Sequence, residues 1–345
     1  MANALDIRRR IRSVKSTLQI TKAMKMVSAA KLRRAQERAL SARPYEQMLT
    51  NVLKSLVKRT ELFDPETGEP RHPLLAQREE KNILLIVITG DKGLSGAFNT
   101  NINKAVLQLL DRRPDQNIDI VCVGRKGRDF LKRRFPSGNA GQERAGRIQI
   151  VDERVNILGK ISFADANEIA ENVISRFTAG EVDSVYLVFN EFKSVISQRL
   201  VLDVVLPIRE IGVHDVATLL EQSAEERERQ ALTAESAGIQ AQGIETGEID
   251  RQAAEFGAAQ VDYIYEQSPD ELFRVLLPKY VSAEIYRSMI ESWAAFNAAQ
   301  MTAMEAASSN ASDMIDRLTL AMNRVRQAKI TKEIIEIVSG AAAAQ

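Results

Sequence analysis

Ile7, Ile11, Val14 and Leu18 recur at spacings of four, three and four, which is the seam of a coiled coil. The stripe then drifts through Met24 and Val27 into alanine-rich sequence. Near the other end, Ile285, Met289, Trp293 and Phe296 form one seam and Met314, Leu318, Ala321, Val325 and Ala328 a second. Between them lie Ala303, Ala306, Ala307 and Ala311, small enough for two helices to approach closely. Residues 2–43 and 279–339 hold neither glycine nor proline, and each of those residues weakens a helix interior by about 1 and about 3 kcal/mol respectively. Both runs therefore predict long unbroken helices, the second extending roughly 90 Å at ~1.5 Å per residue. A helix of that length needs a partner along it, and each run is the natural partner of the other. The last stretch, ITKEIIEIVS at 330–339, is apolar over a wider arc than a two-helix seam uses, so this tip expects to be surrounded.

The middle of the chain changes period. NILLIVIT (82–89) is a continuous apolar, β-branched run of the kind buried on both faces of a parallel sheet. IDIVCVG (118–124), RIQIV (147–151) and SVYLVFNEF (184–192) follow as strands, with helical patterns at 102–110, 128–135 and 163–179 between them. RLVLDVVLP (199–207) comes soon enough after the fourth strand to pair with it as a hairpin. The alternation predicts a doubly wound sheet with one antiparallel edge. The expected class is α/β: a long two-helix coiled coil plus a central Rossmann-like α/β domain. The expected division is a helix at 1–60, the α/β domain at 80–209, an acidic insertion at 210–258 and the C-terminal helix at 259–345.

Charge sharpens this picture. The net charge is +1, yet residues 2–43 carry twelve basic side chains against Asp6 and Glu37, so the first helix is a positive rod. Residues 210–258 are strongly acidic. The single cysteine, Cys122, excludes an intramolecular disulfide and suits a reducing compartment; its place inside a strand predicts a small buried hydrophobe. No run reaches the roughly 20 apolar residues needed to span a bilayer, and the start of the chain lacks the apolar core of a signal peptide.

Candidate chemistry is sparse. GDKGLSGAFN (90–99) has glycines at Gly90, Gly93 and Gly96, but Lys92 stands where a dinucleotide fingerprint needs glycine, and no Gly-Lys-Ser/Thr follows to make a phosphate loop. A glycine-rich turn feeding a helix is the simpler expectation, with no cofactor. His72 and His214 lack a second ligand at metal spacing and are expected to be solvated loop residues. No catalytic triad can be nominated, so the chain is not expected to be an enzyme on its own. Nucleic-acid binding by the basic rod would leave the seams and the apolar tail without a purpose.

Three segments together carry a resemblance. IRSVKSTLQITKAMKMVSAAKLRRAQ (11–36), the GDKGLSGAFN loop and RQAKITKEIIEIVSGAAA (326–343) resemble the gamma subunits of F-type ATP synthases, with Ile330, Thr331, Glu333, Glu336, Gly340 and Ala341 falling on that family's signature. The resemblance covers nearly the whole chain except 210–258. It implies an antiparallel coiled coil that acts as the rotor shaft inside a head of three alpha and three beta subunits. The α/β domain would rest with the epsilon subunit on the ring of c subunits. Proton flow would turn that ring, and an asymmetric shaft would cycle the beta subunits through their conformations. The implied place is the cytoplasmic side of a bacterial plasma membrane, peripherally, with no segment inserted.

Residue roles follow from the resemblance. Met24 and Lys25 match positions that face acidic lever loops of the beta subunits. Arg326, Gln327, Thr331, Glu333 and Glu336 match positions that hydrogen-bond the beta catch loops and settle in the head. Ile334, Ile337 and Val338 would turn in an apolar sleeve. Gln300 stands where the family usually has arginine, which predicts a weaker neutral contact there. The acidic insertion lacks the cysteine pair that chloroplast gamma subunits use for thiol control. It is expected to be either a solvated appendage or, through a helix at 216–236, a lever leaning on the positive shaft and hindering backward rotation.

Overall fold

The computed structural model describes residues 4–59, 63, 66, 70–136, 145–192, 194, 198–212, 216–221, 223–239 and 265–343. Two helices, α1 (Ala4–Val57) and α6 (Pro269–Ala343), pack antiparallel along most of α1. Each runs through a proline, Pro44 and Pro278, and so extends beyond the proline-free run that predicted it. A proline removes one backbone hydrogen bond and crowds the preceding turn. Burial offsets that cost, because Leu49, Leu53 and Leu56 beyond Pro44 in α1, and Phe273, Leu277 and Val281 around Pro278 in α6, all sit in one core.

Between these helices lie β1 (Asn82–Ile88), α2 (Phe98–Asp111), β2 (Asn117–Val123), α3 (Arg125–Arg134), β3 (Ile148–Arg154), α4 (Phe163–Thr178), β4 (Ser184–Phe192) and β5 (Gln198–Leu206). A sixth strand, β6 (Val216–Glu221), and helix α5 (Ala224–Ser236) follow β5. The sheet order is β3-β2-β1-β4-β5-β6, with the first four strands parallel and β5 and β6 added antiparallel. α4 starts at a capping box, in which Ser162 accepts from the Asp165 amide and the Asp165 carboxylate accepts from the Ser162 amide.

Alternation along β1 shows how the domain holds the helix pair. Leu84, Ile86 and Ile88 face a core built with Ile169, Val173 and Phe177 of α4 and with the lower parts of α1 and α6. Ile83, Leu85 and Val87 face a second core with Ile102 and Val106 of α2, Leu32 of α1, and Phe296 and Met301 of α6. The pair therefore contributes to both faces of one sheet, and the expected continuous apolar strands are buried on both sides for that reason.

Three expectations change. Residues 216–236 form a strand and then a helix, not one helix, because the VATLLE segment satisfies the open backbone edge of β5 before the charged run from Ala224 begins. The antiparallel edge thus has two strands, the outer one supplied by the acidic segment. His72 is not a solvated loop residue: its Nδ1 accepts from the Leu74 amide at 3.2 Å, and its ring stands edge-on to Phe273 at 5.9 Å. Burial, with Arg274 nearby, holds its pKa below the usual histidine value. Cys122 is buried as expected, with its thiol pushed up to about 12 mainly by that burial. His214 lies outside the described residues.

Candidate functional site

The candidate site is the helix pair above the domain, and its seam is more regular than the apolar residues alone suggest. From Leu18 the buried or half-buried positions of α1 continue through Thr21, Lys25, Ser28, Leu32 and Ala35, keeping the three-four spacing. On α6 they run through Asn297, Met301, Met304, Ser308, Ala311, Ile315, Leu318, Met322 and Val325. Val27 is 54% exposed and Met314 51%, and Ala328 is exposed too, so these three leave the expected seams. The stripe turns polar at Thr21, which is why an apolar count loses it there.

Hydrogen bonds replace hydrophobic contact in that polar stretch. The Ser308 hydroxyl donates to Thr21 Oγ1 at 2.7 Å, and Ser28 donates to Gln300 Oε1 at 2.9 Å. Gln300 Nε2 in turn donates to the carbonyl of Gly93 at 3.4 Å, tying the glycine-rich loop to the shaft. Gln300 is therefore buried within the chain, not held out for a neutral contact elsewhere. Gly90 serves the same close approach: a Cβ there would come within 2.5 Å of the Phe296 ring. Buried polar groups paired across a helix interface fix register, because any slip leaves them unsatisfied.

Lys25 sits at the centre of this stretch. Its ammonium lies 2.7 Å from Glu305 of α6 and donates at 2.8 Å to the Ser236 hydroxyl at the end of α5. The side chain is only 14% exposed. Met24 beside it is half-buried, while Lys22, Met26 and Arg33 remain exposed. A cavity of about 770 Å³ opens here, between Lys22, Lys25 and Met26 on α1, Ser309 on α6 and Gly238 after α5. The acidic insertion thus reaches the positive helix through α5, whose Gln230 also accepts at 3.4 Å from Gln198 of β5.

The far end of α6 is free of α1. The Thr21–Ser308 and Lys25–Glu305 pairs set an antiparallel register that brings Ala4 level with Val325. From Arg326 onward every described side chain of α6 is exposed, including Gln327, Thr331 and Glu333. Ile330, Ile334, Ile335, Ile337 and Val338 are between 48% and 71% exposed, an apolar surface left open among the described residues. Thr331 bonds back to the Gln327 carbonyl at 3.0 Å, and Glu333 lies 3.6 Å from Lys329. The side chain of Glu336 lies outside the described residues. Arg326 to Ala343 projects about 27 Å past the pair, at ~1.5 Å per residue.

Lys25 lies where α1, α6 and α5 meet, Met24 is half-buried beside it and the apolar tip is exposed, while Thr21, Ser28, Ser308 and the inward turn of Gln300 escape the apolar pattern. Continuing the heptad through polar residues would have found them. Among the described residues no cluster of histidine, cysteine and carboxylate side chains suits a metal ion, and no helix is long and apolar enough to cross a membrane.

Residues 3–344 match the ATP-synt family model, described as ATP synthase. A curated ATP synthase gamma chain from Solibacter usitatus is 46% identical over the full length of both chains. Among solved structures, the Tetrahymena thermophila mitochondrial ATP synthase central stalk and c-ring contains a similar chain, with a TM-score of 0.51, 25% identity, and coverage of 84% of this chain and 99% of that one. A chain of the Euglena gracilis mitochondrial ATP synthase is similar in fold, with a TM-score of 0.54, 18% identity, and coverage of 99% and 94%.

Proposed function

The chain belongs to the family of ATP synthase gamma chains, and from that premise we propose how its parts divide the work of a central-stalk rotor. α1 and α6 form the shaft, the α/β domain is the base set on the c-ring together with an epsilon subunit, and three alpha and three beta subunits surround the shaft. The chain contributes no catalytic group; it turns as the ring turns. Each angle presents a different face to each beta subunit and so stabilises a different conformation of its nucleotide site, which is a population shift imposed by differential contact. The assembly would sit at the cytoplasmic side of a bacterial plasma membrane, with this subunit peripheral to the bilayer and no nucleic acid involved.

One observation carries this reading: α6 continues beyond its partner as a single helix with an exposed apolar surface. Ile334, Ile337 and Val338 would run in an apolar sleeve of the head, and Arg326, Gln327, Thr331, Glu333 and Glu336 would meet the catch loops. Truncating the chain after Val325 tests this. The thermal midpoint of the free subunit is expected to stay nearly unchanged, since the described side chains from Arg326 onward are exposed. Association with the alpha–beta head should weaken by tenfold or more, given the ~1.5–3 kcal/mol that burial of each Ile or Val side chain supplies. Unaltered association would remove the tip from the contact surface.

Met24 and Lys25 would face the acidic lever loops, a contact that suits a basic helix and weakens with salt. In the free chain Lys25 is already held by Glu305 and Ser236, so an acidic loop would have to compete with α5 for it. That competition favours the insertion as a brake over a solvated appendage. Deleting 224–258 while keeping β6 in the sheet is expected to raise ATP hydrolysis by the reconstituted complex several-fold. If hydrolysis and its inhibition by ADP do not change, the insertion brakes nothing.

A further inference from the structure

One guanidinium holds four carboxylates where the shaft leaves the sheet. Arg287 of α6 lies 2.9 Å from Glu284 and 3.4 Å from Glu291 on its own helix, 3.3 Å from Glu46 of α1 and 3.7 Å from Asp203 of β5. All five side chains are between 5% and 22% exposed. The surroundings add Arg43 from α1, Tyr280 from α6, and Glu191 of β4, which pairs with Arg199 of β5. With every carboxylate ionised, the four nearest Arg287 would exceed its charge by three in a site shielded from water. Buried like charges at this separation cannot all remain ionised without cost.

We propose that this cluster is a pH-sensitive joint: a rise of pH through neutrality loosens the hold of the sheet on the foot of the two helices. The three elements it joins are the ones that must move as a unit if torque applied to the base is to reach the shaft. The inference stands on the fold, and the rotor reading enters only in that consequence. Burial is the main cause that raises the carboxyl groups of Glu46 and Glu291, each to about 7; Arg287 opposes the shift and Glu284 adds to it. A carboxyl raised from 4.5 to about 7 in the folded chain holds a proton that the unfolded chain has released. Its stabilising effect is therefore complete below about pH 4.5 and is lost as pH rises through 7. At pH 6 both groups are largely neutral and Arg287 is balanced by fewer charges; at pH 8 the excess negative charge separates α1, α6 and β5.

Hydrogen exchange of the full chain at pH 6 and pH 8, corrected for the intrinsic pH dependence of exchange, tests the joint. The opening equilibrium of β5, and of α6 around Glu284 to Glu291, should rise about tenfold for each titrating group across that interval, while α2 and β3 serve as internal reference. Glu46→Gln and Glu291→Gln together should abolish the rise and leave exchange at pH 8 close to that of the native chain at pH 6. A native chain whose β5 and α6 open equally at both pH values overturns the proposal. So does a rise shared equally by α2 and β3, or one that persists in the double variant. Because the measurement uses the free subunit, its failure would leave the rotor assignment untouched.

Discussion

Replacing Arg287 with methionine should destabilise the folded chain by about 3–5 kcal/mol, the cost typical of removing one partner from a buried ion pair. The loss arises less from the bonds themselves than from what remains: Glu46, Asp203, Glu284 and Glu291 facing one another with no counter-charge at their centre. Because Glu46 and Glu291 take up protons near neutrality, the penalty is expected to be smaller at pH 6 than at pH 8. Urea unfolding of the full chain at the two pH values measures both. Methionine matches the length of the arginine stem, so packing survives and the charge is what is tested. A loss under about 1 kcal/mol at pH 8 would mean that water reaches the cluster and solvates the carboxylates.

Leu32→Ala is the second large effect, expected at about 2–5 kcal/mol. Leu32 is fully buried and belongs to the core that contains Ala294, Ala298 and Phe296 of α6 as well as Leu85 and Val87 of β1. Its truncation opens a cavity where shaft and sheet meet, so both should loosen together. Val27→Ala, five residues earlier, should change stability by no more than about 0.5 kcal/mol, since Val27 points away from the seam. Unfolding midpoints of the two variants decide between the seam drawn through polar residues and the one drawn through apolar residues alone. Equal losses would place Val27 back in the interface.

Much of the fold could be read along the chain because its signals are local. β4 occupies the residues its pattern predicts, β1 ends one residue earlier, and β2 and β5 each begin and end one residue earlier. Those strands are buried on both faces, which writes itself as an unbroken apolar run. β6 was misread because VATLLE is compatible with either period, and only the open edge of β5 selects a strand. His72 was misread because its neighbour in space, Phe273, is two hundred residues away in sequence.

The site divided along the same line. The apolar arc at 330–339 was legible because it is wider than a two-helix seam uses, and its exposure agrees; singling out Ile334, Ile337 and Val338 on it came from the resemblance. Lys25 was named as a position but not in its setting, since nothing near it in sequence announces Glu305 or Ser236. Gln300 was read as a weakened outward contact; its hydrogen bonds to Ser28 and Gly93 turn it inward.

The amino-acid sequence alone determined that two long helices flank an α/β sheet, that the first is basic, and that the last turns end in an apolar tip. Those properties follow from backbone propensity and from the period of side chains, both of which act over a few residues. Tertiary structure alone decided which polar residues close the seam, that α5 reaches Lys25, and that Arg287 gathers carboxylates from α1, α6 and β5. Pairing among residues hundreds of positions apart depends on the register and crossing of whole elements, and that register is settled only when the elements pack.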